Sequence, residues 1–228
     1  VIPARLTHRQ MTTLIAVSTC ERDAQNGFNA AMRQTWIREM PQVEGFEYRL
    51  FYGKGDRALL PDEVRLDVPD DYHGLPFKTR ESLRWALEHN FDFVFRAFSD
   101  TCINPHRLRT SGFARHHYFG CFPGGYVAEP DAKGHYAYAS GGPGYFTDRL
   151  ASREIVNAEP DRKIYDAYWA EDLWVGDVLG KAGIRGMDDK QFWFKWAGMA
   201  TGATTVHLSR GTDNYDPRWM FECYEQMK

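Results

Sequence analysis

The chain has 228 residues, 28 basic against 31 acidic, for a formal charge of -3; without a long run of either sign, this balance excludes nucleic acid or an acidic membrane surface as a partner. Hydrophobic residues at 43% and aromatic ones at 15%, with no low-complexity stretch, exclude extended disorder and predict one domain over 1–228, loosely ordered only at 1–11 and 215–228. No apolar run of about 18 residues predicts a membrane span, and Cys20, Cys102, Cys121 and Cys223, scattered and without a CxxC pair, argue for free thiols rather than a zinc site or disulfide framework.

In chain order, Leu14 to Val17 reads as a short buried strand. A polar turn, Ser18 to Asn26, follows it, and then a helix carrying Ala30, Ala31, Met32 and Trp36. A second strand is expected over Tyr48 to Tyr52, and a third, short one over Arg65 to Val68. The next helix runs from near Phe77 to Asn90, with Leu83, Ala86 and Leu87 on one face. It leads into Phe91 to Phe95, apolar enough for the centre of a sheet. Such a strand delivers Ser99, Asp100 and Thr101 to its carboxyl end, where open α/β sheets place ligands.

The segment Gly112 to Gly144 is rich in Gly, Pro and Tyr and reads as short strands and loops. A last amphipathic helix is expected from Glu171 to Ala182, with Trp174, Val178, Leu179 and Ala182 inward and Gly183 ending it. Thr204 to Ser209 alternates like a strand, and the tail beyond it reads as polar. The fold class is therefore α/β. Seven Trp and twelve Tyr suit either a sugar-stacking cleft or an aromatic core.

Four blocks in order carry a resemblance. They are Met32-Arg33-Gln34-Thr35-Trp36, Asp70-Asp71-Tyr72-His73-Gly74-Leu75-Pro76-Phe77-Lys78-Thr79, Tyr138 to Tyr145 (YASGGPGY), and Glu171 to Gly176 (EDLWVG). They resemble the I-R-x-T-W, D-x-Y-x-N-L-T-x-K-T, Y-x-S-G-x-G-Y and E-D-V-x-x-G blocks of the β1,3-galactosyltransferase-like family of inverting glycosyltransferases. That resemblance implies a GT-A type domain, with a Rossmann-like mixed central sheet flanked by helices. It further implies a UDP-sugar as co-substrate, a glycan acceptor, and Mn²⁺ or Mg²⁺ as cofactor. The family's D-D-D stands here as Phe98-Ser99-Asp100, with Gly74 and Pro76 replacing Asn and Thr.

The resemblance makes Asp100 and His207 the metal ligands and Asp172 the general base that takes a proton from the acceptor hydroxyl. Thr19, Arg33, Asp71, Lys78 and Asp100 become the donor-side residues, and Gly141, Gly142, Tyr145, Glu171 and Trp174 the acceptor-side ones. Each has a plainer reading from the residues alone. His207 also reads as a surface histidine, Glu171 and Asp172 as helix-start acids complementing the dipole, Gly141 and Gly142 as a flexible loop, and Arg33 and Lys78 as solvated side chains. A catalytically inactive sugar-nucleotide or glycan-binding module, or a metal-independent transferase using Arg33, Lys78 or Arg210, is the alternative to a metal-dependent enzyme. The animal members of the family are membrane-anchored, so the lack of an anchor segment leads to the expectation of a cytoplasmic, microbial or viral enzyme. No G-x-S-x-G elbow or P-loop occurs.

Overall fold

The computed structural model describes residues 10–160, 171–193, 198–208 and 216–228. Its first strand, β1 (Thr13–Ser18), is buried along its whole length, because both of its faces are covered. Ile15 and Val17 enter one apolar layer, Leu14 and Ala16 the other, as the two-residue period of a strand dictates. Short helices α1 (Glu21–Gln25) and α2 (Phe28–Gln34) follow. Trp36, expected on the helix, lies fully buried in the 3₁₀ turn Trp36–Gln42 just beyond it.

Strand β2 (Phe46–Tyr52) lies parallel to β1, and β3 (Glu63–Arg65) parallel to β2. The third strand thus ends where Arg65 to Val68 was expected to begin; Leu66 and Val68 are buried as core residues outside it. Helix α3 (Leu75–Glu88) leads to β4 (Phe93–Phe98), which pairs parallel with β1 on the side opposite β2. The chain then leaves the main sheet through β5 (Thr101–Ile103) and α4 (Pro105–Thr110). Strand β6 (Tyr118–Gly120) and a largely irregular stretch precede β7 (Tyr145–Asp148), helix α5 (Arg149–Asn157), helix α6 (Glu171–Lys181) and strand β8 (Gly186–Asp188).

The seven strands stand in the order β3-β2-β1-β4-β7-β6-β8, with β7 antiparallel to both of its neighbours. This is the expected Rossmann-like mixed sheet. One layer on it holds α2, Trp36 and the C-terminal helix α7 (Arg218–Met227); the other holds α3, α5 and α6. A small second sheet, β5-β10-β9, is made by β5, β9 (Phe192–Trp193) and β10 (Thr205–His207). Gly183, at φ +73°, follows α6 in the left-handed conformation that ends helices.

Two departures from expectation have physical causes. The tail is not loose from Arg218 on, because Met220, Cys223, Tyr224 and Met227 recur at helical spacing and are buried under the sheet. Gly74, where the motif that the segment resembles has Asn, leaves no room for a side chain, because a Cβ there would collide with the carbonyl of Pro69. Gly74 also donates its N–H to Asp71 Oδ1 at 2.8 Å, and Pro76 sits in the first turn of α3, where no N–H is required. Gly74→Asn is therefore expected to destabilise the fold by about 1–3 kcal/mol, lowering Tm by roughly 3–10 °C. An unchanged Tm in a thermal melt would contradict this packing.

Among the described residues all four cysteines are free, and no helix is long and apolar enough to cross a membrane. The expected ends at 1–9 and residue 215 lie outside the described residues.

Candidate functional site

The carboxyl ends of β1 and β4, adjacent parallel strands, open into a cleft of about 770 Å³, within the usual range of small-molecule sites. Strand β1 contributes Ser18, Thr19 and Cys20, and β4 contributes Phe98, Ser99 and Asp100; the loop before β7 and the first turn of α6 form the opposite wall. Strand order reverses at this point, because successive crossovers run outward from β1 in opposite directions.

Asp100 lies in the turn where the chain passes from β4 into β5. Strand β10 pairs antiparallel with β5, His207 opposite Thr101, and the N–H of Leu208 donates to the carbonyl of Asp100 at 3.0 Å. That register brings together two side chains 107 positions apart, with His207 Nε2 3.1 Å from Asp100 Oδ2. Two adjacent ligands of an octahedral cation, each about 2.1 Å from the metal, stand about 3 Å apart, so this pair fits two neighbouring positions of such a site. Among the described residues no third His, Cys, Asp or Glu completes it; a diphosphate would have to supply the remaining oxygens. A Cβ at Gly142 would strike the His207 ring, so that glycine is required for the histidine to lie flat on the loop.

Across the cleft, Asp172 Oδ2 accepts from the Gly141 N–H at 2.9 Å, and Oδ1 from the Leu173 N–H at 3.0 Å. Burial and then the neighbouring Glu171 charge push its carboxyl up to about 6, against the pull of the Gly141 N–H and of Arg96. The helix-start position therefore does not hold it at an ordinary carboxylate value. It is still roughly nine-tenths ionised at neutral pH.

Glu171 is buried and held from several sides. Its Oε1 accepts from Thr79 Oγ1 at 2.8 Å and from the Tyr145 hydroxyl at 2.7 Å, and its Oε2 lies 3.4 Å from Arg96 Nη2. Asp70 is a second hub, accepting from the Gly53 and Glu21 amides and from Lys78 Nζ. Lys78, almost fully buried, also donates to the Thr19 carbonyl at 2.6 Å. Thr19 Oγ1 donates to Asn29. These bonds tie the ends of β1 and β2 to α3 and give the cleft a rigid floor.

Of the expected site residues, Thr19, Asp71, Lys78, Asp100, Gly141, Gly142, Glu171, Asp172 and His207 all line this cleft. Three fall elsewhere. Arg33 is held by Asp62 and Glu63 at 2.9 Å, beside β3, so its guanidinium is committed to a protein ion pair. Trp174 is buried in the apolar layer beneath α6 and does not line the cleft. Tyr145 is fully buried and donates its hydroxyl to Glu171, with its phenol pushed well above the ordinary range by burial. Arg210 lies outside the described residues.

Sequence reasoning did not find Arg96 or Asp70. Arg96 had a signal, since a lone charge in the otherwise apolar run Phe93 to Phe98 must have a buried partner. Asp70 had only its adjacency to Asp71.

No protein-family model and no curated protein matches the chain. Among solved structures it is similar to the crystal structure of a glycosyltransferase involved in the glycosylation of the major capsid of PBCV-1, with a TM-score of 0.52 and 12% identity, covering 94% of this chain and 98% of that one. The likeness shows that the chain has a glycosyltransferase's Rossmann-like mixed α/β fold.

Proposed function

We propose that the chain is a glycosyltransferase that moves a hexose from a UDP-sugar to a hydroxyl of a glycan acceptor with inversion. The observation that carries this reading is one cleft, at the strand ends of a glycosyltransferase fold, with the Asp100–His207 pair on one wall and Asp172 on the other. Asp172, ionised and titrating near neutrality, suits a general base, whose efficiency peaks when its pKa approaches the working pH. It would accept the acceptor's hydroxyl proton as that oxygen bonds to the anomeric carbon. The bond from that carbon to the diphosphate oxygen breaks, and the electron pair leaves with the nucleoside diphosphate.

Asp100 and His207 would hold Mn²⁺ or Mg²⁺, which supplies positive charge for the leaving diphosphate. The charge of the cleft supports a cation rather than a metal-independent site. Asp23, Asp70, Asp71, Asp100, Glu171 and Asp172 line it, against Arg22 and Lys78, and Lys78 is already paired with Asp70. A diphosphate entering this acidic cleft needs a counter-charge that the described lining residues do not provide. Phe98 and Ser99 stand where the resembled D-D-D motif has its first two acids, leaving Asp100 alone, the feature behind the alternative of a binding module without turnover.

Isothermal titration with UDP, in Mn²⁺ and in EDTA, tests the donor half of the proposal. Saturable binding is expected in Mn²⁺, at least about tenfold weaker in EDTA. Equal affinity in both would remove the cation from the account.

A further inference from the structure

We infer that Arg96 is a positioning residue for the proposed base, clamping Glu171 from beneath the cleft floor so that the first turn of α6 presents Asp172 to the acceptor. The inference rests on the assignment of Asp172 as base. Arg96 has no exposed surface, although it sits in the centre of β4. Its side chain shares a face with Val94, toward α3, α5 and α6. Its Nε donates to Thr79 Oγ1 at 3.2 Å and its Nη2 pairs with Glu171. The guanidinium carbon lies 3.5 Å from the centroid of the Phe98 ring.

That ring lines the cleft while Arg96 does not. Phe98 therefore screens the cation from any anionic ligand and commits it to Glu171. Among the described residues neither Nη1 nor Nη2 has a hydrogen-bond partner, so Arg96 holds Glu171 by charge, while Nε alone is hydrogen-bonded, to Thr79. Its consequence is electrostatic and steric. Glu171 and Asp172 are adjacent carboxylates in a partly buried place, and without a buried cation they would repel each other. With Arg96 present, Glu171 is fixed by α3, β7 and β4 together, and Asp172 is left to the Gly141 amide.

The groups that act on Asp172 are Glu171 from its own helix, Arg96 from β4, Tyr118 from β6 and Tyr138 from the loop before Ser140. Glu171 and Arg96 act with opposite sign, which gives the test its force. Carboxyl ¹³C NMR of the ligand-free protein, with the Asp172 resonance assigned through Asp172→Asn, reads the titration of this one group. Glu171→Gln is expected to lower its midpoint by about one unit and Arg96→Met to raise it by about one unit. Arg96→Lys, whose buried ammonium holds its charge less firmly and lacks the planar fork, is expected to fall between the parent and Arg96→Met. Should Arg96→Met not fold, Arg96→Gln takes its place with the same expected sign.

Shifts in the same direction for Glu171→Gln and the Arg96 variant, or a midpoint unmoved in both, would overturn the inference. The titration needs no substrate, so its failure is distinct from failure of the glycosyltransferase reading. That failure would instead appear as a normal titration in a protein that turns over no UDP-sugar.

Discussion

Asp172→Asn is expected to lower turnover by about 10²–10⁴-fold while leaving UDP affinity within about twofold. The amide keeps one oxygen to accept from the Gly141 N–H, so the α6 terminus and the opposite wall are retained. What it loses is the capacity to take a proton. The remaining rate would come from positioning and leaving-group stabilisation. The same carboxyl sets the pH profile: pushed up to about 6 by burial and by Glu171, it must be ionised to act, so kcat/KM is expected to rise with pH through about 6 and level off above it.

The stability consequence runs the other way. Because the folded protein favours protonated Asp172, its effect is neutral below the ordinary carboxyl value of 3.8 and grows unfavourable as pH rises toward about 6. Asp172→Asn is thus expected to lie close to the parent near pH 4 and to melt higher at pH 7, by up to about 3 kcal/mol. A variant both inactive and less stable at pH 7 would make Asp172 a structural cap.

The second large effect is expected at Asp100. Asp100→Ala removes one of the two proposed cation ligands, the carboxylate 3.1 Å from His207 Nε2. Loss of a charge-bearing ligand at a site where the rest of the coordination comes from substrate should weaken Mn²⁺-dependent UDP binding by about 10²-fold or more. The fold itself should survive, since the Asp100 backbone carbonyl, which accepts from Leu208, is untouched. Chelation of the parent should reproduce the defect, and excess Mn²⁺ should restore the parent but not the variant. Retained binding in Asp100→Ala would move the cation elsewhere.

Much of the architecture was legible because it depends on local pattern. Strands β1 and β4 are largely apolar runs, broken in β4 by Arg96, and such runs fit a sheet covered on both faces. The cleft followed from the rule that ligands sit at carboxyl strand ends, and the ordered motifs placed Asp100, Asp172 and His207 around it. Residues that act through distant partners were less legible. Nothing near Arg33 in sequence announces Asp62 and Glu63, and motif position favoured a phosphate contact that the ion pair excludes. Trp174 and Tyr145 share motifs with cleft residues, yet strand and helix geometry turns them into the core. The buried Arg96–Glu171 pair joins residues 75 positions apart on different elements, so only the tertiary arrangement brings it into view. The helix at Arg218–Met227 was missed for another reason: its apolar residues are spaced at helical intervals among charged ones, which lowers the mean hydropathy of the tail without weakening its buried face.

The central claim is that this cleft transfers sugar from a nucleotide donor with Asp172 as base, and UDP release from a panel of UDP-hexoses tests it most directly. With a glycan acceptor mixture and Mn²⁺, the parent is predicted to release UDP from at least one donor, to stop in EDTA, and to fall by about 10²-fold or more in Asp172→Asn. No release from any donor, or release unchanged in Asp172→Asn, would contradict the account.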